Sequence, residues 1–145
     1  VGHLGKFHLN NWKEIEGVEL VGFYDPNEEI AAAVISQYGL QRYTNAEALM
    51  DAVDAVDIVA PTNFHYDLCT KALRRQKHIF VEKPLAATID EAREIVKLVK
   101  EAKVKLQVGH VERLTPPTRL PAGTPLNPCL LKCIAWHSST HVVQK

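Results

Sequence analysis

An α/β fold, a doubly wound parallel sheet with helices on both faces, is what this sequence predicts. Three observations carry that expectation. Helix-like and strand-like segments alternate from Gly2 to Gly109, the order a parallel sheet with crossover helices requires. Several of the strand-like segments are short and apolar-rich, among them Val56-Asp57-Ile58-Val59-Ala60 and His78-Ile79-Phe80-Val81. The residues after these strands, Pro61 to His65 and Glu82 to Leu85, are unusually polar, and in such a sheet the ligand crevice lies outside the carboxyl ends of the strands.

Taken in order, a helix is expected from about Lys6 to Trp12, then a strand from Val18 to Tyr24 that Asp25-Pro26-Asn27 ends as a turn. Asn27 should cap a helix over Glu28 to Tyr38, and Gly39 should stop it in the left-handed conformation that glycine tolerates. A short strand near Gln41 to Tyr43 leads to an Asn45-capped helix through Asp51. Val56 to Ala60 is the next strand, ended by Pro61, and His65 to Arg75 and His78 to Val81 follow as helix and strand. Thr88-Ile89-Asp90-Glu91 reads as a capping box that opens a helix to Ala102. Its Ala92, Ile95, Val96, Val99 and Ala102 recur at helical spacing and are expected in the core. Val104 to Val108 closes the series as a strand. The strand that should precede Gly2 is absent from the sequence, and it is central in a doubly wound sheet, so a gap is expected between the Val18 and Val56 strands.

A chain of 145 residues with 46% hydrophobic content has one domain's length and enough apolar surface for a real core. Lysine plus arginine and aspartate plus glutamate number 17 each, so no bulk field points to nucleic acid or a membrane surface, and small-molecule chemistry is the better expectation. No apolar run approaches the roughly 20 residues of a membrane span and no signal arrangement opens the chain, which leads to the expectation of a soluble, cytoplasmic protein. Cys69, Cys129 and Cys133 form no Cys-x-x-Cys or histidine cluster, which fits a reducing compartment without structural zinc, and no metal site is expected. Cys69 lies within a helical pattern and reads as a small buried hydrophobe.

Gly2-His3-Leu4-Gly5 looks like the second half of the dinucleotide-binding fingerprint G-x-G-x-x-G, cut through its first glycine. Glycines serve there because a side chain would hold the backbone away from a pyrophosphate, which rests on the N-terminal amides of the following helix. Asp25, twenty residues after Gly5, sits at the end of a predicted strand, where a carboxylate accepts both ribose hydroxyls of an adenosine and repels a 2′-phosphate. NAD is therefore favoured over NADP. Asp25 is equally suited to making the turn or capping the helix that follows, and neither role excludes the other.

Together with the glycine turn, the segments Pro61-Thr62-Asn63-Phe64-His65, Glu82-Lys83-Pro84-Leu85 and Gly109-His110-Val111-Glu112-Arg113 resemble the Gfo/Idh/MocA oxidoreductases over Val1 to Arg113. Glu-Lys-Pro is the most specific of these motifs, with Thr-x-x-His in support. The resemblance implies a Rossmann domain binding NAD, and hydride transfer to or from a sugar, inositol or similar substrate. It gives Lys83 the catalytic and substrate-binding place, at the nicotinamide edge beside the substrate oxygen. An ammonium there stabilises developing negative charge and helps move the proton that accompanies the hydride. The resemblance further places Thr62, Asn63 and His65 along the nicotinamide side, Glu82 near the nicotinamide ribose, and His110 and Arg113 near the substrate, where Arg113 could bind an anion. A histidine at a helix start also serves as a cap or packing residue, and His65 remains open to that reading. His8 stands at a position the family pattern often fills with histidine, and packing behind the glycine turn is its expected role.

After Arg113 the texture changes, with four prolines between Pro116 and Pro125, which cannot continue an ordinary helix or inner strand. The family tends to read Arg-Phe-Asn-Pro-Ala-Tyr here, and deletion of one base from codons for Phe-Asn-Pro-Ala-Tyr gives Leu-Thr-Pro-Pro-Thr, as at Leu114 to Thr118. The expected organisation is thus a dinucleotide-binding domain over 1–113 and a frameshifted, prematurely stopped tail over 114–145. The alternative is a genuine proline-rich linker or partner-binding segment. In the family a second domain supplies the substrate wall, a catalytic histidine and the oligomer interface, so an intact relative is expected to be a homo-oligomeric enzyme and this chain to bind nucleotide with little turnover. A non-catalytic NAD sensor or scaffold module is the competing reading.

Overall fold

The computed structural model describes residues 1–110. Its centre is a three-stranded parallel sheet formed by β1 (Ala55–Ile58), β2 (His78–Val81) and β3 (Leu106–Val108), side by side in chain order. Ala55 pairs with His78 and Ile58 with Val81, while Ile79 pairs with Leu106 and Val81 with Val108. Around it lie α1 (His3–Glu14), α2 (Glu28–Tyr38), α3 (Ala46–Ala52), α4 (His65–Arg74, entered through a 3-10 turn at Thr62–Phe64) and α5 (Ile89–Ala102). The two crossovers, β1 to α4 to β2 and β2 to α5 to β3, are of the kind that the alternating sequence predicts.

Local signals account for the helix ends. Asn27 and Asn45 accept the backbone N–H of Ile30 and Ala48, and Gly39 adopts φ 66°, ψ 19° beyond α2. Thr88 and Glu91 form the reciprocal capping box that opens α5. The core runs along the faces of β1 and β2: Ile58, Cys69, Leu73, Ile79, Val81 and Ile95 are buried together. Ile95 is fully buried, with Val99 and Ala102 packed against this cluster. Val96, expected there, is 46% exposed, because the stripe facing the sheet is narrower than the apolar pattern on the helix. A smaller cluster of Leu9, Phe23, Ala31 and Val34 joins α1, α2 and the segment before Asp25.

The expected Val18–Tyr24 strand is present only as one parallel bridge, Phe23 to Arg42, held by Phe23 N–H to Gln41 O at 2.9 Å and Tyr43 N–H to Phe23 O at 2.8 Å. The expected strand at Gln41–Tyr43 is the other half of that bridge. A strand needs a continuous ladder, and between this segment and β1 lies no pairing among the described residues. A hollow of about 170 Å³ lined by Leu20, Val21, Phe23, Val56 and Trp12 lies there instead. Gly22 is required by close approach: a Cβ there would stand 2.7 Å from Tyr43 Cε2 and nearer still to the Gln41 carbonyl oxygen. No described helix is long and apolar enough to cross a membrane.

Candidate functional site

A cavity of about 780 Å³ lies at the carboxyl ends of β1 and β2, the place where parallel α/β sheets bind ligands and within the size range of cofactor clefts. Gly2, His3, Leu4 and Gly5 line it together with Asp25, Pro26, Ala60, Pro61, Glu82 and Lys83. Residues up to 81 apart in the sequence thus converge on one cavity, as the predicted topology requires.

The glycine turn opens α1. Gly2 is its N-cap in extended conformation, without a side-chain cap, and no acid lies in the first turn. In contrast α2, α3 and α5 each have a capping side chain and at least one acidic residue in the first turn. The first turn of α1 therefore lines the cavity with neither a side-chain cap nor an acid of its own to offset the partial positive charge of its amides. Nothing lies within 4 Å of the place a Cβ would take at Gly2, so the space beside the turn is open. These features fit a dinucleotide pyrophosphate.

Asp25 is buried at 7% exposure. Its Oδ1 accepts the Asn27 N–H at 2.8 Å and its Oδ2 contacts the amino group of Val1. Both roles expected of it are compatible with this placement, since it makes the turn and still lines the cavity. Arg42 stands behind it, donating Nη2 to the Asp25 carbonyl oxygen at 2.9 Å and holding Glu28 through both terminal nitrogens at 2.5 and 2.9 Å.

Glu82 is 9% exposed and Lys83 exposed at the mouth, with a cis peptide between Lys83 and Pro84. Glu82 Oε2 accepts the backbone N–H of Lys83 at 3.0 Å. Its Oε1 lies 3.1 Å from Nε2 of His8, whose Nδ1 lies 2.9 Å from Asp57 Oδ2. Trp12 donates Nε1 to the same Asp57 oxygen at 2.6 Å, and the His8 and Trp12 rings stand edge-on to Phe80. His8 is thus not a packing residue behind the glycine turn but a bridge between two carboxylates. Burial works against a charged ring, yet the hydrogen bond and charge of Asp57 and those of Glu82 outweigh it and raise the His8 pKa. The sequence held one signal for this arrangement, a charged Asp57 in the middle of an apolar strand, where a carboxylate needs a partner.

His65 departs from its expected place on the nicotinamide side. It is 1% exposed at the start of α4, with Nδ1 2.7 Å from Pro84 O and Nε2 2.8 Å from Ala60 O. Both ring nitrogens face carbonyl oxygens, so no edge is left for a ligand, and the ring ties the loop after β1 to the loop after β2. Thr62 and Asn63 lie in the 3-10 turn between Pro61 and Phe64, which line the cavity while they themselves do not. His110 is exposed just beyond β3. Arg113 lies outside the described residues, as do Cys129 and Cys133. Replacing His65 by Leu is expected to leave at least one loop carbonyl without its ring N–H donor and to cost about 2 kcal/mol in urea denaturation. A loss below a few tenths would show that solvent satisfies it.

Cys69 is fully buried in α4, and burial pushes its thiol up to about 12, as expected of an inert core residue. The described residues contain no group of three or more His, Cys, Asp or Glu able to hold a metal ion.

The model of the oxidoreductase family's NAD-binding Rossmann fold matches residues 1–110. The chain belongs to the Gfo/Idh/MocA oxidoreductase family. Among the Gfo/Idh/MocA relatives, UDP-N-acetylglucosamine 3-dehydrogenase of Acidithiobacillus ferrooxidans is 34% identical over 116 residues, which cover 80% of this chain and 36% of that protein. The NAD(+)-dependent scyllo-inositol 2-dehydrogenase of Bacillus subtilis is 38% identical over 120 residues, 80% of this chain and 35% of that one. The solved structure of the Acidithiobacillus enzyme superposes with a TM-score of 0.75, covering 80% of this chain and 38% of that one. Myo-inositol 2-dehydrogenase of Lactobacillus plantarum does so with 0.73 at 30% identity, covering 79% and 35%. The chain thus spans about a third of the length of these Gfo/Idh/MocA relatives.

Proposed function

We propose that this chain is the dinucleotide-holding part of an NAD-dependent dehydrogenase acting on a hydroxyl or carbonyl carbon of a sugar, inositol or related polyol. The observation that carries the reading is the single cavity lined by the uncapped start of α1, Asp25, Glu82 and Lys83. In this reading the amides at Gly2 to Gly5 receive the pyrophosphate, Asp25 the adenosine ribose and Glu82 the nicotinamide ribose. A bound nicotinamide supplies the acceptor or donor of hydride. Lys83 hydrogen-bonds the substrate oxygen, stabilises its negative charge as the hydride leaves, and relays the hydroxyl proton. NAD is favoured over NADP because the buried Asp25 carboxylate meets a 2′-phosphate with like charge.

In this reading Arg113 binds an anionic group of the substrate, and the intact protein is a homo-oligomer, both on the strength of the family resemblance. The segment 114–145 is read as a frameshifted tail, and the 145 residues alone hold the cofactor with little turnover. Calorimetric titration of the chain with NAD and NADP tests the core of this. NAD should bind and NADP should bind more weakly, and Lys83→Met should leave the NAD dissociation constant within about twofold, since that ammonium is assigned to the substrate. Absence of NAD binding at millimolar concentration would overturn the reading.

A further inference from the structure

We infer that His8 is a positioning residue, an imidazolium strapped between Asp57 and Glu82 that fixes the Glu82 carboxylate on the cavity wall and, through the Lys83 amide, the start of the Lys83-Pro84 loop. Its effect on affinity rests on the reading of Glu82 as a ribose contact, whereas the strap itself does not.

The geometry carries the inference. A carboxylate oxygen only accepts, so a ring contacting Asp57 Oδ2 at 2.9 Å and Glu82 Oε1 at 3.1 Å donates to both only when each nitrogen carries its hydrogen. The side chains of His8, Asp57 and Glu82 are only 14%, 20% and 11% exposed, so solvent replaces neither bond cheaply. The three groups come from α1, β1 and the end of β2, so the ring links the helix that opens at Gly2 to the motif bearing Lys83. Glu82 has little freedom to go elsewhere. Its other oxygen holds the Lys83 amide at 3.0 Å, and a Cβ on Gly109 would stand 2.7 Å from Oε1.

The titratable groups acting on the ring are Asp57 from β1 and Glu82 just after β2, and the neighbouring Trp12 and Phe80 bear no charge. With the folded pKa raised, the stabilisation is complete below the ordinary histidine value and is lost as pH rises through the folded one. Loss of the proton leaves the ring one donor for two carboxylates, and Glu82 is released from one side.

The test is a pH titration of the 145-residue chain followed by NMR at the His8 ring and the Lys83 amide. The inference expects one shared midpoint above about 6.5. Glu82→Gln and Gly109→Ala, which weaken or displace the contact while keeping the ring, should lower the His8 midpoint. His8→Gln should abolish the titration at the Lys83 amide. A Lys83 amide indifferent to His8, or a midpoint unmoved in both Glu82→Gln and Gly109→Ala, would overturn the strap. The NAD dissociation constant should rise roughly fivefold across the same midpoint and become flat with pH in His8→Gln. A shared midpoint without any NAD binding would uphold the strap and reject the cofactor reading. NAD binding whose pH dependence survives in His8→Gln would reject the role of His8 in affinity.

Discussion

Asp25→Ser should weaken NAD binding by one to two orders of magnitude and narrow or reverse the preference over NADP. A charge-assisted hydrogen bond to a ribose hydroxyl is worth about 1.5–3 kcal/mol, or roughly ten- to a hundredfold in affinity. Serine keeps an oxygen for the Asn27 N–H that now bonds to Asp25 Oδ1 at 2.8 Å, so the turn into α2 survives and the loss reports the carboxylate. The gain for NADP has a specific source in Arg42, whose guanidinium lies behind Asp25 and is held by Glu28 and the Asp25 carbonyl. With the carboxylate gone, that cation is the nearest partner for a 2′-phosphate. Parallel calorimetric titrations with the two dinucleotides decide it, and an unchanged NAD constant would confine Asp25 to the turn.

Ile79→Ala should cost about 4 kcal/mol, within the range for emptying a buried aliphatic site that cannot collapse. Ile79 is fully buried in β2, which is paired on both sides, to Val56 in β1 and to Leu106 in β3. Both neighbouring strands hold its backbone in place, so the hole is expected to persist. Urea denaturation measures the loss, and a cost under about 1 kcal/mol would mean that Leu73 or Ile95 moves into the space.

Sequence alone disclosed those parts of the fold whose causes are local. Thr88 and Glu91 lie three residues apart, and the capping box they imply forms; the strand His78–Val81 has the expected bounds, set by its apolar run between turn residues. The Val18–Tyr24 run shows the opposite case. Its composition suits a strand, but strand character depends on a neighbour, and Phe23 alone finds one in Arg42. The site divides in the same way. Gly2 to Gly5, Asp25, Glu82 and Lys83 reach one cavity because strand ends in a parallel sheet must converge. The bridging place of His8 is not legible because its partners, Asp57 and Glu82, lie 49 and 74 residues away; for His65 the packing reading that the sequence leaves open is the one its contacts support, one partner being local, Ala60, and the other, Pro84, 19 residues on.

The two hydrophobic clusters have no buried residue in common, and both lie next to residues that line the cavity. Leu9 and Phe23 of the smaller one anchor the glycine turn and Asp25, whereas Ile58 and Val81 of the larger one anchor the approach to Glu82 and Lys83. The smaller cluster, with four buried members among the described residues, has less to lose by opening, and the His8 and Trp12 contacts to Asp57 and Glu82 are what tie its helix to the sheet. A long ligand touching residues beside both would act as a clasp: part of its interaction energy would be taken up in ordering the smaller cluster, and occupancy would in return protect that cluster from opening.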